Sequence, residues 1–228
     1  MEKCRKVGII GAGAGWDKAP YDDPEWEFWS LNNLYRKLDT TKFSRWFELH
    51  DFECDKDGDY KRRKVYSYSN MSINDYMKAI ADLNIPVYMQ QKWGIIPKSR
   101  KFPFKAIMKR YGKYFGCSFA WMIGFILHEN EKAAEKKVDT IGFWGVDLIG
   151  HEYLYQRPTT EYMIGLAKGR GIKIIIGKDS ELLRMPFIYA LDEDSDLIHL
   201  LYTNDMINQM VLWYQGFMVR AWNNDIGG

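Results

Sequence analysis

Lys6-Val-Gly-Ile-Ile-Gly-Ala-Gly-Ala-Gly15-Trp16 is a short apolar strand that runs directly into three alternating glycines, Gly11, Gly13 and Gly15. The short apolar run of residues 7–10 reads as the first strand. Glycines allow a sharp turn and a close backbone approach, and the N–H groups of such a loop suit an anion. After a first strand that anion is most often a nucleotide phosphate, so Gly11, Gly13, Gly15 and the adjoining Trp16 are candidate nucleotide contacts.

The residues that follow narrow the kind of nucleotide. A dinucleotide fold needs G-x-G-x-x-G, a full helix, and a second strand ending in an acid that holds the ribose. Here the third glycine comes one position early, and Pro20, Asp22, Asp23 and Pro24 break the crossover. The second strand, 25–31, alternates and ends in Asn32-Asn33 rather than an acid. These departures speak against a hydride-transferring dehydrogenase. No Gly-Lys-Ser/Thr follows the glycines, which speaks against a P-loop kinase or ATPase.

Further along, hydrophobic periodicity predicts strands at 45–50, 86–90, 140–145 and 172–176, the last fully apolar and so expected at the centre of a parallel sheet. It predicts helices at 73–83, with Ser72 or Asn70 as N-cap, at 118–137 and at 159–169. Residues 54–64 read as a charged loop, and 197–222 as a long amphipathic helix. Alternating strands and helices give the expected class: α/β, a three-layer, mostly parallel Rossmann-like sheet with a long C-terminal helix. Residues 1–190 are expected to form one nucleotide-binding catalytic domain, with 191–228 a helical extension packed on it.

Composition sets limits. Hydrophobic residues make up 46% and aromatics 16%, with nine Trp and fifteen Tyr, enough for a large core, a ring-stacking surface or an interface. The charged N-terminus carries no expectation of a signal peptide, and no stretch reaches the ~20 apolar residues of a membrane span. Cys4, Cys54 and Cys117 are widely spaced, as free thiols of a reducing compartment are, so a cytoplasmic protein is expected. The net charge of +2 hides an asymmetry: no acidic residue lies between Asp82 and Glu129. That interval holds Lys98, Arg100, Lys101, Lys105, Lys109 and Arg110 among Trp93, Phe102, Phe104, Tyr111 and Tyr114. It reads as a footprint for a polyanion such as DNA or, equally, as a solvated loop and helix face.

Two acidic runs raise the question of a metal. Asp55-Lys-Asp57-Gly-Asp59 begins like a calcium loop, but its glycine is misplaced and Tyr66 stands where the bidentate Glu belongs, so it reads as a solvated turn. Asp192-Glu-Asp194-Ser-Asp196 reads as an acidic helix N-terminus. No metal is expected.

The remaining polar residues gather at predicted C-terminal strand ends, where open α/β sheets place ligands. They are Asn32 and Asn33, His50 and Asp51, Gln90, and Gly116-Cys-Ser118 at a helix start suited to a second phosphate. Beyond them lie Gly145-Val-Asp147 and the run His151-Glu-Tyr-Leu-Tyr-Gln156-Arg157.

A strand with Gly-x-Gly-x-Gly, Leu-Asn-Asn on the next strand, Gly-Cys-Ser opening a helix and Gly-Val-Asp closing a strand resemble the sialyltransferase-like family, which includes bacterial lipooligosaccharide sialyltransferases. Residues 145–172 also resemble a set of small phage-encoded proteins with Gly-Val-Asp, Gln-Arg-Pro and Gly-Leu-Ala-x-Gly-Arg-Gly-Ile. The resemblance runs in order over residues 6–185. It implies a metal-independent glycosyltransferase that uses a nucleotide sugar, with a catalytic His beyond the Gly-Val-Asp strand. His151 is then the first candidate for general base and His50 the second, with Asp147 beside them. Arg157, Lys168 or Arg170 would steady the leaving group, although Arg157 could equally pair with Glu161. The chain departs from the family at Gly15-Trp16, where a Ser is usual, so phosphate binding would rest on backbone N–H groups.

Three functions follow as expectations. The first is transfer of a sugar to a hydroxymethylated pyrimidine in DNA, flipped out and held between aromatic rings, in a phage-infected host cytoplasm. The second is the same transfer to a glycan or lipid-linked acceptor. The third is a non-enzymatic protein that binds or sequesters a nucleotide. In each, the C-terminal helix could serve as a homodimer surface.

Overall fold

The computed structural model describes residues 5–54, 56, 60–62, 71–134, 136–150, 153–185, 188, 191, 204, 207, 208 and 211. Its strands are Arg5–Ile10 (β1), Trp26–Leu31 (β2), Phe43–Glu48 (β3), Phe52–Cys54 (β4), Tyr60–Arg62 (β5), Val87–Met89 (β6), Ser99–Lys101 (β7), Val138–Trp144 (β8) and Lys173–Ile176 (β9). Its helices are Ile73–Asp82 (α1), Phe104–Tyr111 (α2), Ser118–Lys132 (α3) and Gln156–Gly169 (α4).

Seven strands form one sheet in the order β7-β6-β3-β2-β1-β8-β9, and every pairing in it is parallel. The chain builds outward from β1 through β2, β3, β6 and β7. It then returns to the other side of β1 as β8, in register from Lys6 with Thr140 to Ile10 with Trp144. The strand order therefore reverses between β1 and β8, and their C-terminal ends frame the crevice where such sheets bind ligands.

Alternation on the strands divides the core in two. Val7, Ile9, Trp29, Phe47, Ile141 and Phe143 pack on one face, against Ile107 of α2, Ile123 and Ile126 of α3, and Met163 and Ile164 of α4. Ile10, Phe28, Trp46, Met89 and Trp144 pack on the other, against Tyr76, Met77 and Ile80 of α1. This is the expected three-layer α/β arrangement. Much of the aromatic surplus is core: Trp29, Trp46 and Phe47 are fully buried, and the Trp29 ring lies 5.4 Å from that of Phe47.

Local chemistry explains where elements start and stop. Ser72 caps α1 by accepting from the Asp75 N–H at 3.1 Å. Helix α3 ends at Lys132 rather than running to 137. Asn130 holds both the N–H and the C=O of Val138, at 2.8 and 2.7 Å, and so starts β8 against the helix end. Helix α4 begins at Gln156, three residues earlier than expected. Pro158 sits in its first turn, where the missing N–H costs nothing.

Three segments differ from the sequence expectation. β9, whose fully apolar run suits a sheet centre, lies at the edge beside β8, because sheet order and not local composition sets a strand's place. The basic interval contains a strand, β7, and a helix, α2, which Gly112 ends at φ 82°. The span 54–64 includes an antiparallel hairpin, β4 with β5. Three-residue polar strands carry too few side chains for a periodicity to show. The chain divides into two compact units, Met1–Leu183 and Arg184–Gly228. Of the expected C-terminal helix, residues 204, 207, 208 and 211 are helical, and the rest of that span lies outside the described residues. Among the described residues no helix is long and apolar enough to cross a membrane.

Candidate functional site

A cavity of about 550 Å³ opens at the reversal of strand order. Four groups of the expected residues line it: Gly13 after β1, Asn32 and Asn33 after β2, His50 after β3, and Asp147 after β8. Gly116 and Ser118 at the start of α3 and Gln156 at the start of α4 complete it, and with them comes Cys117.

The glycine loop has a different part from the one its spacing implies. The Gly11 N–H donates to Trp144 O at 2.9 Å, Gly13 N–H to Gly145 O at 2.8 Å, and Ala14 N–H to Asp147 Oδ2 at 3.1 Å. Three amides of the loop are thus tied to the end of β8. A Cβ on Gly11 would collide with the Gly145 carbonyl, and one on Gly13 with the Asp147 carboxylate. The glycines let two loops touch where a side chain would part them. A phosphate on these amides would have to displace all three bonds and sit beside the Asp147 carboxylate. Gly15, at φ 74°, precedes a 3₁₀ turn at Trp16–Lys18, and Trp16 lines a separate hollow of about 300 Å³ with Tyr21 and Phe43.

The opposite wall suits an anion better. Helices α3 and α4 both present their N-termini to the cavity, and neither N-cap, Cys117 or Tyr155, makes a side-chain capping bond. The first-turn N–H groups and the positive end of the helix dipole favour negative charge there. The two ends are tied together: Gly116 N–H donates to Thr159 Oγ1 at 3.0 Å, and Cys117 Sγ lies 3.1 Å from Thr160 Oγ1. Gly116 permits this approach, since a Cβ there would strike the Tyr155 carbonyl.

The β3 end supplies the titratable chemistry. Glu48 is fully buried, yet its carboxylate meets His50 Nδ1 at 2.5 Å, accepts from His50 N–H at 3.1 Å, and accepts from the Tyr76 hydroxyl of α1. Gln90, expected as a ligand contact, instead donates from Nε2 to Leu49 O at 3.1 Å and braces the backbone between Glu48 and His50. Neither Glu48 nor Tyr76 was singled out from the sequence. A Glu two residues before a His on an extended strand end was the available signal, because such residues share one side of the sheet.

Asn32 takes a left-handed conformation, φ 51°, which Asn tolerates better than most residues, and its C=O accepts from Trp46 Nε1 at 2.9 Å. Asn32 Oδ1 and Asp147 Oδ1 are buried with no hydrogen-bond partner among the described residues.

Other candidates are placed elsewhere. Arg157 pairs with Glu161 at 2.9 Å and donates to Glu181 O at 2.6 Å, as the alternative reading had it, and is not among the cavity-lining residues. Lys168 and Arg170 lie at the far end of the 14-residue α4, roughly 20 Å from its start. His151 lies outside the described residues, as do Asp55, Asp57, Asp59 and the 192–196 acidic run. Among the described residues no three His, Cys, Asp or Glu side chains are arranged to hold a metal ion.

In the basic interval, Phe102 and Tyr111 are buried, so these two aromatics serve the core rather than a stacking surface. Lys98 donates to Asn84 O and Arg110 pairs with Glu131 at 2.8 Å. Lys98 and Arg100 line a hollow of about 440 Å³ with Lys92. Lys101 follows on β7, and Lys105 and Lys109 lie on α2. No family model matches the chain, and neither a curated protein nor a solved structure does.

Proposed function

We propose that the chain is a glycosyltransferase that binds a nucleotide sugar in the switch-point cavity and transfers the sugar to a hydroxyl acceptor. The observation that carries this reading is the polarity of the cavity. Two helix N-termini stand on one side and a carboxylate-held histidine, His50, on another. The leaving phosphate would lie against the first turns of α3 and α4, where N–H dipoles offset the charge that develops on it. Asp147 and the asparagines would face the neutral, hydroxyl-bearing part of the donor. His50 would take the acceptor proton as the oxygen attacks the anomeric carbon and the bond to phosphate breaks.

The acceptor in this proposal is a hydroxymethylated pyrimidine in DNA. Support comes from the edge of the sheet, where Lys92, Lys98 and Arg100 share a hollow and Lys101 and Lys105 follow. β7 lies four strand spacings from β1, about 20 Å. DNA held there would have to present a base displaced from its stack to reach the cavity.

A thermal-shift screen against nucleotide sugars, followed by mass spectrometry of hydroxymethylated DNA and of soluble glycans, tests both halves. The reading predicts a raised melting temperature with one nucleotide sugar and a sugar-sized mass gain on DNA that His50→Ala abolishes. Mass gain on a glycan alone would replace the acceptor. Stabilisation by a nucleotide with no transfer to either would make the protein a nucleotide binder.

A further inference from the structure

We infer that Glu48 and Tyr76 are positioning residues that fix the tautomer and orientation of His50. This rests on the reading of His50 as the base that meets the acceptor. The case begins with a cost. Glu48 has 0% exposure at the last position of β3, and a buried carboxylate is tolerated only where donors surround it. Among the described residues the Tyr76 hydroxyl does so on Oε2, and the His50 N–H and imidazole Nδ1 on Oε1. A glutamine could answer a hydroxyl and an amide without the penalty of a buried charge. What it could not do as strongly is hold a proton on Nδ1.

Oε1 of Glu48 already accepts from the His50 N–H and so stands as an acceptor. Its contact with Nδ1 therefore places the imidazole proton there and makes Nε2 the basic nitrogen. The same division of labour operates in hydrolytic triads, where a buried carboxylate sets the histidine tautomer without itself taking the proton.

Described contacts from β3, α1 and the end of β6 restrain His50 directly or through Glu48 and Leu49. Glu48 grips the ring and the backbone N–H, Gln90 holds the Leu49 carbonyl, and Leu49 itself is buried. Tyr76 extends from the middle of α1, fully buried, and holds the second carboxylate oxygen so that Oε1 stays turned toward His50. A histidine merely solvated at a cavity edge would need none of this. The restraint is what a reacting group needs, since small misplacements cost rate steeply.

The test is nitrogen-15 NMR of the imidazole in the full chain, with His50 assigned through His50→Gln, alongside turnover of whichever nucleotide sugar the screen finds. In the wild type the neutral ring should show the Nδ1–H signature. Glu48→Gln should shift it toward the Nε2–H form, and should lower kcat by about 10- to 10⁴-fold with KM changed less than about threefold. Tyr76→Phe should keep the tautomer and lower kcat less. An unchanged tautomer in Glu48→Gln overturns the inference whatever the activity does. An altered tautomer in a protein whose turnover does not change overturns the role of His50 as base and leaves the positioning contact standing. Should Glu48→Gln fold poorly, Tyr76→Phe with an unaltered kcat and pH profile is the result against the proposal.

Discussion

The loop after β1 and the end of β3 both face the switch-point cavity, yet they do opposite things with the same resource, the hydrogen bond. The β1 loop is conspicuous in the sequence and chemically quiet. Its amides at 11, 13 and 14 are engaged by β8, and its glycines serve contact between two backbones. The β3 end is inconspicuous in the sequence and chemically loaded. A buried glutamate, a histidine and a tyrosine from α1 meet there in one network. The lesson is that a glycine pattern reports how closely backbones approach, not what fills the space beside them.

The contrast can be broken in measurable ways. The largest expected effect is on turnover: His50→Ala should cost about 10²- to 10⁴-fold in kcat, with about 1–3 kcal/mol of stability lost because the buried Glu48 carboxylate loses a donor, as measured by product mass and urea denaturation. Gly11→Val should act first on the fold. Its side chain must enter the Gly145 backbone, so stability should fall by about 3 kcal/mol or more in the same denaturation experiment. Gly94→Ala, where no atom lies within 4 Å of an added Cβ, should stay within about 0.5 kcal/mol and is the control.

Smaller effects concern the sheet edge and the helix layer. Replacing Lys98, Arg100, Lys101 and Lys105 together by Ala should weaken DNA binding at least about tenfold and flatten its salt dependence. An unaltered salt slope in a filter or fluorescence titration would remove DNA from the proposal. His128 in α3 is buried with Nε2 unpartnered among the described residues. Desolvation, helped by Lys132, holds its imidazole below the ordinary histidine range. The unfolded chain therefore takes up this proton more readily than the folded one. The stability is present above the unfolded value of about 6.5 and is lost as the pH falls below it. His128→Leu should flatten that acid limb in melting curves taken at successive pH values.

Much of the scaffold was legible because its signals are local. β1, β2, β6, β9 and α1 fall within a residue or two of their expected positions, each marked by apolar spacing or a cap such as Ser72. The end of α3 was not, because it is set by Asn130 reaching eight residues on to Val138. Nor was β7, whose three polar residues find their place only by pairing with β6. At the cavity, Gly13, Asn32, Asn33, His50, Gly116, Ser118, Asp147 and Gln156 were all named from strand and helix ends. Gly11, Trp16, Gln90 and Arg157 were named by the same rule, and their partners take them out of the lining.

The sequence alone determined the alternation of strands and helices, and hence which residues fall at strand ends, because periodicity and capping depend on neighbours within a turn or two. It also determined that the chain near residue 11 would stand open to close approach, since glycines carry no side chain. Only the tertiary structure decided what they meet. Ala14 and Asp147 are 133 residues apart, and Glu48 and Tyr76 are 28 apart. Partners at such separations are chosen by sheet order and helix packing, which no local pattern encodes.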